Sequence, residues 1–316
     1  MSITLDEAKV ASNDILTAGI IDEFKKQNFL LGNMPFDDCV TASRTGCALN
    51  YGYYRVTNPA KAVFRAIDSE FNNQKITKQK INVELKIFGG AFDLDRVSAK
   101  SNELADEIEF QSRQMIKAAS SLFNDTIING DISADLKSFD GLEKALTGSS
   151  TEFNTASNID LSTPALVDTN YKTFLDKLDE FILTLDGTPS ALLANTALVA
   201  KIRACARRSS ICSETVDSFG RPVLTYSGIP IVDMGYKSGT KTPVINVASG
   251  VTSLFAVRFA TDAFHGITLA NQSPVKVYLP DFTVSGAVKK GEIEMITAVA
   301  LKNTESAGAF RKIKIA

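Results

Sequence analysis

The sequence predicts an α+β fold, and three patterns carry that prediction. Apolar and polar residues alternate with period two over residues 81–87, INVELKI, as in a half-buried strand. Apolar residues three or four apart predict one long amphipathic helix over residues 98–129. Residues 165–268 mix helical and strand-like runs, and residues 273–316 are strand-rich. Strands and helices in largely separate runs are typical of the α+β class.

Composition sets the broad class of the protein. The chain has 316 residues, of which 44% are hydrophobic and 22% charged, values that are ordinary for a globular protein. This length allows one large domain or two to three smaller ones. The formal net charge is -2, which argues against a dedicated nucleic-acid binder, because such proteins carry a strongly basic face.

No targeting or membrane segment is predicted. The first residues, MSITLDEAKVASND, have neither the basic region nor the apolar run of a signal peptide. No stretch reaches the roughly 18 apolar residues of a membrane span. We therefore expect a protein that stays inside the cell or leaves it by another route, without a membrane partner.

The residues that most often bind metals are few. Cys39, Cys47, Cys205 and Cys212 lack the CxxC spacing of zinc or redox sites, so we expect reduced, structural cysteines. His265 is the one histidine in the sequence and lies in an apolar segment, ATDAFHGITL. A single histidine cannot supply a histidine cluster, and a packing or surface role is expected.

The N-terminal third predicts two elements that need a partner. Residues 13–27 predict a helix with little neighbouring sequence to pack on, as expected of an arm that docks elsewhere. Residues 47–95 predict a long two-stranded hairpin with a polar, basic centre, DSEFNNQKITKQK. Because an isolated hairpin is only marginally stable in water, we expect it to lie against another copy of the protein.

The long helix predicted over residues 98–129 would span about 45 Å, which exceeds a small domain. The polar stretch after it, NGDISADLKSFDGL, could hold a ligand or simply end the helix. Asp131 and Asp135 lack the carboxylate density of a calcium loop. We therefore predict that Gly130 ends the helix in the left-handed conformation and that Asp140-Gly141 forms the next turn.

Two lobes are predicted after the long helix. The first contains a helix over residues 168–185, a strand and a helix on either side of Asn195, a hairpin turning at Ser227-Gly228, and a strand within residues 252–269. Some of the strands of residues 273–316 should pair in a sheet near the long helix, which makes the second lobe discontinuous in sequence.

No assembled catalytic set is predicted. The sequence lacks the glycine-rich phosphate loops, the nucleophile elbow and the zinc-protease motif. The adjacent glycines of FGGAF, residues 88–92, predict a strand-end bulge or turn. Asp93 and Asp95 share one strand face, where solvation or a pair with Arg96 is expected. We therefore predict no catalytic, cofactor-binding or metal-binding residues, and a carboxylate enzyme using Asp93 and Asp95 stays as a rival.

A basic helix face is predicted at residues 201–208. Lys201, Arg203, Arg207 and Arg208 could touch phosphate, although an exposed or interface face is favoured. The aromatic residues that stack on bases are missing from this face.

The order of the elements resembles the major capsid proteins of tailed bacteriophages, whose fold is shared with encapsulins and the floor domain of herpesvirus capsids. FKKQNFLLGNMPF resembles the N-terminal arm, and YRVTNPAKAVFRAIDSE with QKINVELKIFGGAFDLDRV resembles the extended hairpin loop. SRQMIKAASSLFNDTIINGD resembles the spine helix. PSALLANTALVAKIR, GRPVLTYSGIPIVDMG and SLFAVRFATDAFHGITL resemble the axial lobe, and GEIEMITAVALKNTESAGAFRKIKI the closing strands of the peripheral lobe.

The resemblance implies a division of the chain into five parts. These are an N-terminal arm (residues 1–46), an extended hairpin loop (47–95), a peripheral lobe with the spine helix (96–160), an axial lobe (161–270) and the closing strands of the peripheral lobe (271–316).

The same resemblance implies a function in assembly. Pentamers and hexamers of the protein would form an icosahedral shell around double-stranded DNA, contacted without sequence specificity. Scaffolding would come from a separate protein or from a segment that has been removed, and the portal protein would be separate. The shell would be assembled in the host cytoplasm and become part of the virion. An encapsulin-type compartment with a protein cargo is the alternative. No cofactor is implied, and Lys75, Lys78 and Lys80 near the hairpin tip are predicted to contact a neighbouring subunit.

Overall fold

The structure is a computed structural model of the chain. It describes residues 2–3, 28–40, 49–58, 64–65, 67–68, 70, 77–96, 104–209, 213–216, 222–270 and 275–316. The predicted helix over residues 13–27 lies outside these residues.

The described residues form five α-helices, one 3-10 turn and sixteen strands. The helices are α1 (Phe29–Asn33), α2 (Leu104–Asn129), α3 (Leu142–Leu146), α4 (Pro164–Leu183) and α5 (Thr196–Ser209), and the 3-10 turn is Thr304–Ser306. The strands are β1 (Ser2–Ile3), β2 (Phe36–Val40), β3 (Asn50–Asn58), β4 (Thr77–Glu84), β5 (Lys86–Asp95), β6 (Glu152–Phe153), β7 (Ile159–Asp160), β8 (Ala191–Ala194), β9 (Ser213–Val216), β10 (Pro222–Tyr226), β11 (Ile229–Asp233), β12 (Val251–Val257), β13 (Phe264–Leu269), β14 (Val275–Tyr278), β15 (Val288–Leu301) and β16 (Ala307–Lys314).

The first sheet is built around the long strand β15. Its strand order is β1-β2-β13-β15-β14, and β5 also pairs with β15. Strands β5 and β15 are antiparallel, with a continuous register from Val288 opposite Asp95 to Thr297 opposite Lys86. Helix α2 covers one face of this part of the sheet, where the rings of Phe88 and Phe123 stack with centroids 5.5 Å apart.

The second sheet has the order β6-β16-β12-β8-β11-β10-β9, and β7 also pairs with β16. Helices α4 and α5 contribute its helical layer and contact each other. Phe310 of β16 anchors the core, since its ring packs on Phe174 and Phe181 of α4 with centroid distances of 6.1 and 5.7 Å. All three rings are fully buried.

Strands β3 and β4 form a third, two-stranded sheet. They are antiparallel, with Asn50 opposite Glu84 at one end and Asn58 opposite Thr77 at the other. This two-stranded sheet is called the hairpin below. Its base is the end at Asn50 and Glu84.

The hairpin differs from the one that the sequence predicts. The continuous alternation of INVELKIFGG is divided at Leu85, whose amide donates to the Leu49 carbonyl. After Leu85 the chain leaves the hairpin, and β5 joins β15 in the first sheet. The side of the strand that is buried also changes at this point, since Leu85 is 2% exposed whereas Ile87, two residues later, is 60% exposed. The expected shared face of Leu85 and Ile87 is therefore wrong.

The predicted bulge at the adjacent glycines is also wrong. Gly89 and Gly90 lie within β5 and pair regularly with Glu294 and Ile293. A Cβ on Gly89 would lie 2.0 Å from the Ile293 carbonyl oxygen, and one on Gly90 would lie 2.6 Å from Met115 Sδ. Close packing against β15 and α2, and not a turn, requires glycine here.

The helices follow their predictions with shifted ends. Helix α2 is described from Leu104, and residues 98–103 lie outside the described part. Helix α4 begins at Pro164, earlier than predicted, because Thr163 caps it by accepting from the Leu166 amide and proline suits the first helical position. The strand, Asn195 and helix order is confirmed by β8 and α5, and the turn at Ser227-Gly228 joins β10 to β11.

The segment 252–269 contains two strands instead of one. Strand β12 pairs with β8 and β16 in the second sheet, whereas β13 pairs with β2 and β15 in the first. Strand β16, expected among the closing strands beside the long helix, also lies in the second sheet. The chain thus passes from the second sheet to the first near residue 260, and from the first sheet back to the second near residue 303.

Candidate assembly surface

The base of the hairpin is fastened to the first sheet by three side chains of β3. Tyr51 Oη donates to the Asp37 carboxylate at 2.6 Å. Tyr53 Oη and Arg55 Nη2 both donate to the carbonyl oxygen of Leu301, at 3.1 and 2.5 Å. Residues two apart on a strand share one face, so β3 turns these three side chains toward the sheet together.

The environment of this face keeps the Tyr53 hydroxyl neutral. Burial raises the pKa of the Tyr53 hydroxyl, and the nearby Arg55 opposes that rise. Lys302 Nζ lies 3.6 Å from the Asp37 carboxylate and 5.4 Å from the centre of the Tyr51 ring. The Tyr51 hydroxyl and the Lys302 ammonium therefore both satisfy the buried Asp37 carboxylate.

His265 packs beneath the same hairpin base. The residue is fully buried in β13, and its ring meets the Tyr51 ring edge-on with centroids 6.1 Å apart. Burial, reinforced by the positive charge of Lys302, lowers the pKa of the imidazole to about 4. The ring is therefore neutral near pH 7, and the packing role is the one that this geometry supports.

Two of the three predicted hairpin lysines lie among the described residues. Lys78 and Lys80 are exposed on β4, and Lys78 Nζ lies 4.6 Å from the centre of the Tyr54 ring. Tyr54 is itself 59% exposed. Lys75 lies outside the described residues. A subunit contact through these lysines stays a prediction.

A surface groove lies where β5, helix α2 and the following loop meet. It has a volume of about 520 Å³. Its apolar lining includes Ile87, Phe88, Leu122, Phe123 and Phe139, and it is called the spine groove below. Ile87 is 60% exposed and Leu122 is 42% exposed, so the groove presents apolar surface to solvent. Sequence reasoning placed Ile87 on the buried face and therefore missed this surface.

The loop after α2 is closed by an ammonium group. Lys144 Nζ donates to Asp131 at 2.5 Å, to Asp140 at 2.7 Å and to Ser133 at 3.2 Å. Lys144 lowers the pKa of the Asp131 carboxyl, and Asp131 in turn raises the pKa of Lys144. The lysine thus takes the place that a cation would need, and no group of three metal-ligating side chains occurs among the described residues.

The two glycines of this loop serve close contact instead of left-handed turns. Gly130 lacks a positive φ, so that prediction is wrong. A Cβ at Gly130 would lie 2.1 Å from the Phe139 carbonyl oxygen, which explains the glycine. The Gly141 amide donates to the Gly130 carbonyl at 2.8 Å, and Gly141 is the N-cap of α3. The loop therefore joins two helices through a tight backbone crossing.

The other polar residues that the sequence singled out are exposed to solvent or bonded within the chain. Asp93 and Asp95 are exposed on the open face of β5. Lys201 Nζ donates to the Ser162 carbonyl at 2.6 Å, and Arg208 donates to Asp168. Two of the four basic side chains of α5 are thus bonded within the chain.

None of the helices in the described ranges has the length and apolarity that a membrane span requires.

A single arginine ties helix α3 to the second sheet. Arg311 of β16 donates to Glu143 of α3 at 2.6 Å and to Glu152 of β6 at 3.0 Å. Its guanidinium carbon lies 5.4 Å from the centre of the Phe255 ring. This cluster is structural, because each of its charges is paired within the chain.

Comparison with known proteins gives matches at the level of structure only. No protein-family model and no curated protein matches the sequence. The holo-SrpI encapsulin complex of Synechococcus elongatus PCC 7942 is 16% identical, with a TM-score of 0.57 over 84% of this chain and 83% of that one. A structure from Mycobacterium phage Bobi is 13% identical, with a TM-score of 0.54 over 98% of this chain and 99% of that one.

The capsid of the native GTA particle is 10% identical, with a TM-score of 0.52 over 84% of this chain and 86% of that one. These likenesses cover most of each chain, and so they concern the whole arrangement of hairpin, long helix and two sheets. At such low identity they establish the arrangement and not the residues of a site. The chain therefore has the fold shared by the major capsid proteins of tailed bacteriophages and the encapsulins.

Proposed function

We propose that the protein is a major capsid protein of a tailed bacteriophage. Pentamers and hexamers of it would form an icosahedral shell around double-stranded DNA, in a virion assembled in the host cytoplasm. The observation that carries the proposal is the hairpin. Among the described residues it forms a two-stranded sheet of its own, which is attached to the first sheet through Tyr51, Tyr53 and Arg55 of β3.

A projecting hairpin of this kind favours assembly over catalysis. Two strands alone are marginally stable in water, so a partner surface is needed along their length. Identical copies are the commonest partners of soluble proteins. We infer from this that the protein acts in assembly and not as an enzyme.

The proposed parts of the subunit keep the bounds that the resemblance implies, although β5, β13 and β16 pair across those bounds. Residues 1–46 would form the arm, 47–95 the hairpin region, 96–160 and 271–316 the peripheral lobe, and 161–270 the axial lobe. Non-specific contact with DNA would depend on charge and not on base readout. Separate scaffolding and portal proteins would complete the assembly.

An encapsulin-type shell with a protein cargo is the second candidate. The likeness to the SrpI encapsulin, with a TM-score of 0.57, supports it as directly as the phage likenesses support the first. The two candidates share the shell and differ in what it encloses.

Electron microscopy of the purified protein, with measurement of nuclease-protected nucleic acid, tests the proposal. Closed shells are expected, and shells isolated from the native source should protect double-stranded DNA. Shells that hold a protein and no nucleic acid would favour the encapsulin candidate. Discrete monomers at high protein concentration, under conditions in which the chain is folded, would contradict both.

A further inference from the structure

The end of helix α2 carries the one Asn-Gly pair of the sequence, Asn129 and Gly130. Asparagine is chemically labile, and a following glycine makes it most prone to deamidation, because glycine has no side chain to hinder the reaction and its backbone turns freely. Both residues line the spine groove, so water can enter beside them. A reactive pair thus lies at a defined point of the fold.

The side-chain amide of Asn129 holds two parts of the chain together. Its Nδ2 donates to Asp125 Oδ1 at 2.6 Å and to the Val244 carbonyl oxygen at 2.7 Å. Asp125 also lies 3.0 Å from Lys237 Nζ. These contacts, between the last turn of α2 and residues 237 and 244, are called the helix joint below. Because both partners of the amide are acceptors, the joint requires a donor at residue 129.

The surroundings of Gly130 are equally restrictive. A Cβ at this position would lie 2.1 Å from the Phe139 carbonyl oxygen. The Gly130 amide donates to the Thr126 carbonyl at 2.9 Å, and the Gly130 carbonyl accepts from the Gly141 amide at 2.8 Å. The fold therefore needs an amide at residue 129 and no side chain at residue 130, and the labile pair is the result.

Deamidation of this pair needs no group from outside except water. The lone pair of the Gly130 amide nitrogen attacks Cγ of Asn129 and forms a new C–N bond. The attacking nitrogen loses its proton, and the side-chain nitrogen leaves with the electrons of its bond to Cγ as ammonia. Water then opens the cyclic imide at one of its two carbonyls, which leaves aspartate or isoaspartate at residue 129.

The closed helix joint prevents the first of these steps. The Gly130 amide is bonded to the Thr126 carbonyl, and helical backbone at Asn129 keeps that amide away from the side chain of the same residue. The two acceptors of Asn129 Nδ2 fix the side chain in turn. The last turn of α2 must therefore open before the reaction can start.

We propose that Asn129 is a deamidation site that the folded chain protects and that reacts when the end of α2 opens. The reaction is one-way, because neither product can restore the helix joint. Aspartate would place a second carboxylate against Asp125 and the Val244 carbonyl, where the two charges repel. Isoaspartate would add a backbone atom before Gly130, where the Phe139 carbonyl leaves no room. A chain that stays open is thus marked, whatever the protein assembles into.

Peptide mass spectrometry of the full chain, incubated in mildly alkaline buffer with and without denaturant, tests the proposal. Deamidation at Asn129 should be slower in the folded chain by roughly tenfold or more, because it requires local opening. A synthetic peptide of residues 124–135, incubated in the same two buffers, corrects for any effect of the denaturant on the chemistry.

A variant of the loop after α2 tests whether opening controls the rate. Lys144→Met removes the ammonium that bridges Asp131 and Asp140, so the loop that covers Gly130 should open more often. Deamidation at residue 129 should become severalfold faster while the chain remains folded. Lys137→Met is the matched control, because Lys137 is exposed in the same loop and its side chain makes no ion pair among the described residues.

The product is tested directly by Asn129→Asp. This variant should have a melting temperature several degrees below that of the unsubstituted chain, because it loses two hydrogen bonds and gains a repulsion. Asn158→Asp makes the same chemical change at an exposed position and should leave the melting temperature nearly unchanged.

Three outcomes would overturn the inference. They are equal corrected rates at Asn129 in the folded and unfolded chains, equal rates in the Lys144→Met and Lys137→Met variants, and an unchanged melting temperature in Asn129→Asp. An Asn129→Asp chain that fails to fold agrees with the expected loss, and the rates measured in the unsubstituted chain then decide between protection and its absence.

Discussion

His265 lies at the point where the hairpin base meets the first sheet, and four other polar groups surround it. Tyr51 touches its ring, and the charges of Lys302, Asp37 and Asp262 act on it. A buried neutral histidine resists protonation, because the charged form would lose its hydration. Falling pH therefore acts on the hairpin base through His265.

The first prediction concerns the stability of the folded chain below pH 7. The pKa of His265 is about 4 in the folded protein against 6.5 in the unfolded chain, so the unfolded state takes up a proton first as the pH falls. Its contribution to the free energy of unfolding is complete above pH 6.5. That contribution is lost as the pH falls to about 4, by about 3 kcal/mol in total.

Denaturant unfolding at several pH values, with His265→Phe as the comparison, checks this prediction. Phenylalanine keeps an aromatic ring against Tyr51 and cannot be protonated. The difference between the two curves should be flat above pH 6.5 and should favour the variant at lower pH. Parallel curves through that range would contradict the assignment.

Individual residues also show where sequence reasoning ends. The stop at Asn129 and Gly130 was predictable from local chemistry, because helix patterns and glycines are local signals. The reason for Gly130 was not, since the contact that excludes a side chain comes from the Phe139 carbonyl across the loop. Lys144 was likewise missed, because its three acceptors converge only once the loop is closed.

At the scale of elements, the hairpin depends on its anchors. The Tyr51 hydroxyl donates to a largely buried carboxylate, and the aromatic body of the side chain packs on His265. Tyr53 and Arg55 add hydrogen bonds to the Leu301 carbonyl farther along β3. The orientation of the hairpin therefore depends on a contact that extends from Tyr51 to Arg55.

The second prediction is that Tyr51→Phe loosens the hairpin. Removing the hydroxyl leaves the Asp37 carboxylate short of one donor, which should cost about 1–3 kcal/mol of stability. Amide hydrogen exchange should become faster in β3 and β4 and should change little in the second sheet. Tyr54→Phe is the matched control, because Tyr54 lies on the opposite face of β3 and is 59% exposed. Equal exchange in the two variants would show that the bond to Asp37 does not hold the hairpin.

The sequence was most informative about the positions of individual helices and strands. Periodicity located α2, α4, α5 and the strands of the second half, because each pattern reflects the face that its element buries. The division between β4 and β5 could not be found that way. The pattern is continuous through Leu85, and only pairing with β15, about 200 residues later in the chain, draws β5 into the first sheet. Pairing with strands distant in sequence also places β13 in the first sheet and β16 in the second, which the order of the elements along the chain did not indicate.

At the scale of the whole molecule, the proposed shell of many copies would multiply small effects. Each copy would contribute several contacts, and contacts within a closed assembly act together, so a modest change at one surface would have a large effect on closure. The net charge of -2 leaves attraction and repulsion between subunits nearly balanced, so local charge should decide how copies are oriented.

The third prediction is that the charges of Lys78 and Lys80 are needed between subunits and not within one. Changing both to glutamate should leave the melting temperature of the single chain nearly unchanged, because surface charges contribute little to stability. Shell formation, followed by light scattering, should require a higher protein concentration. The variant with arginine at both positions keeps the charge and should assemble normally. Unchanged assembly of the glutamate variant would remove these lysines from the interface.

The late position in the chain of two central strands, one in each sheet, has a consequence for synthesis. Residues 288–314 supply β15, to which β5, β13 and β14 are paired, and β16, to which β6, β7 and β12 are paired. Neither sheet can close until these residues have left the ribosome. A nascent or prematurely terminated chain therefore lacks both sheet centres at once and cannot present a finished surface to its neighbours. Synthesis of residues 288–314 is therefore required before a copy could take part in the proposed assembly.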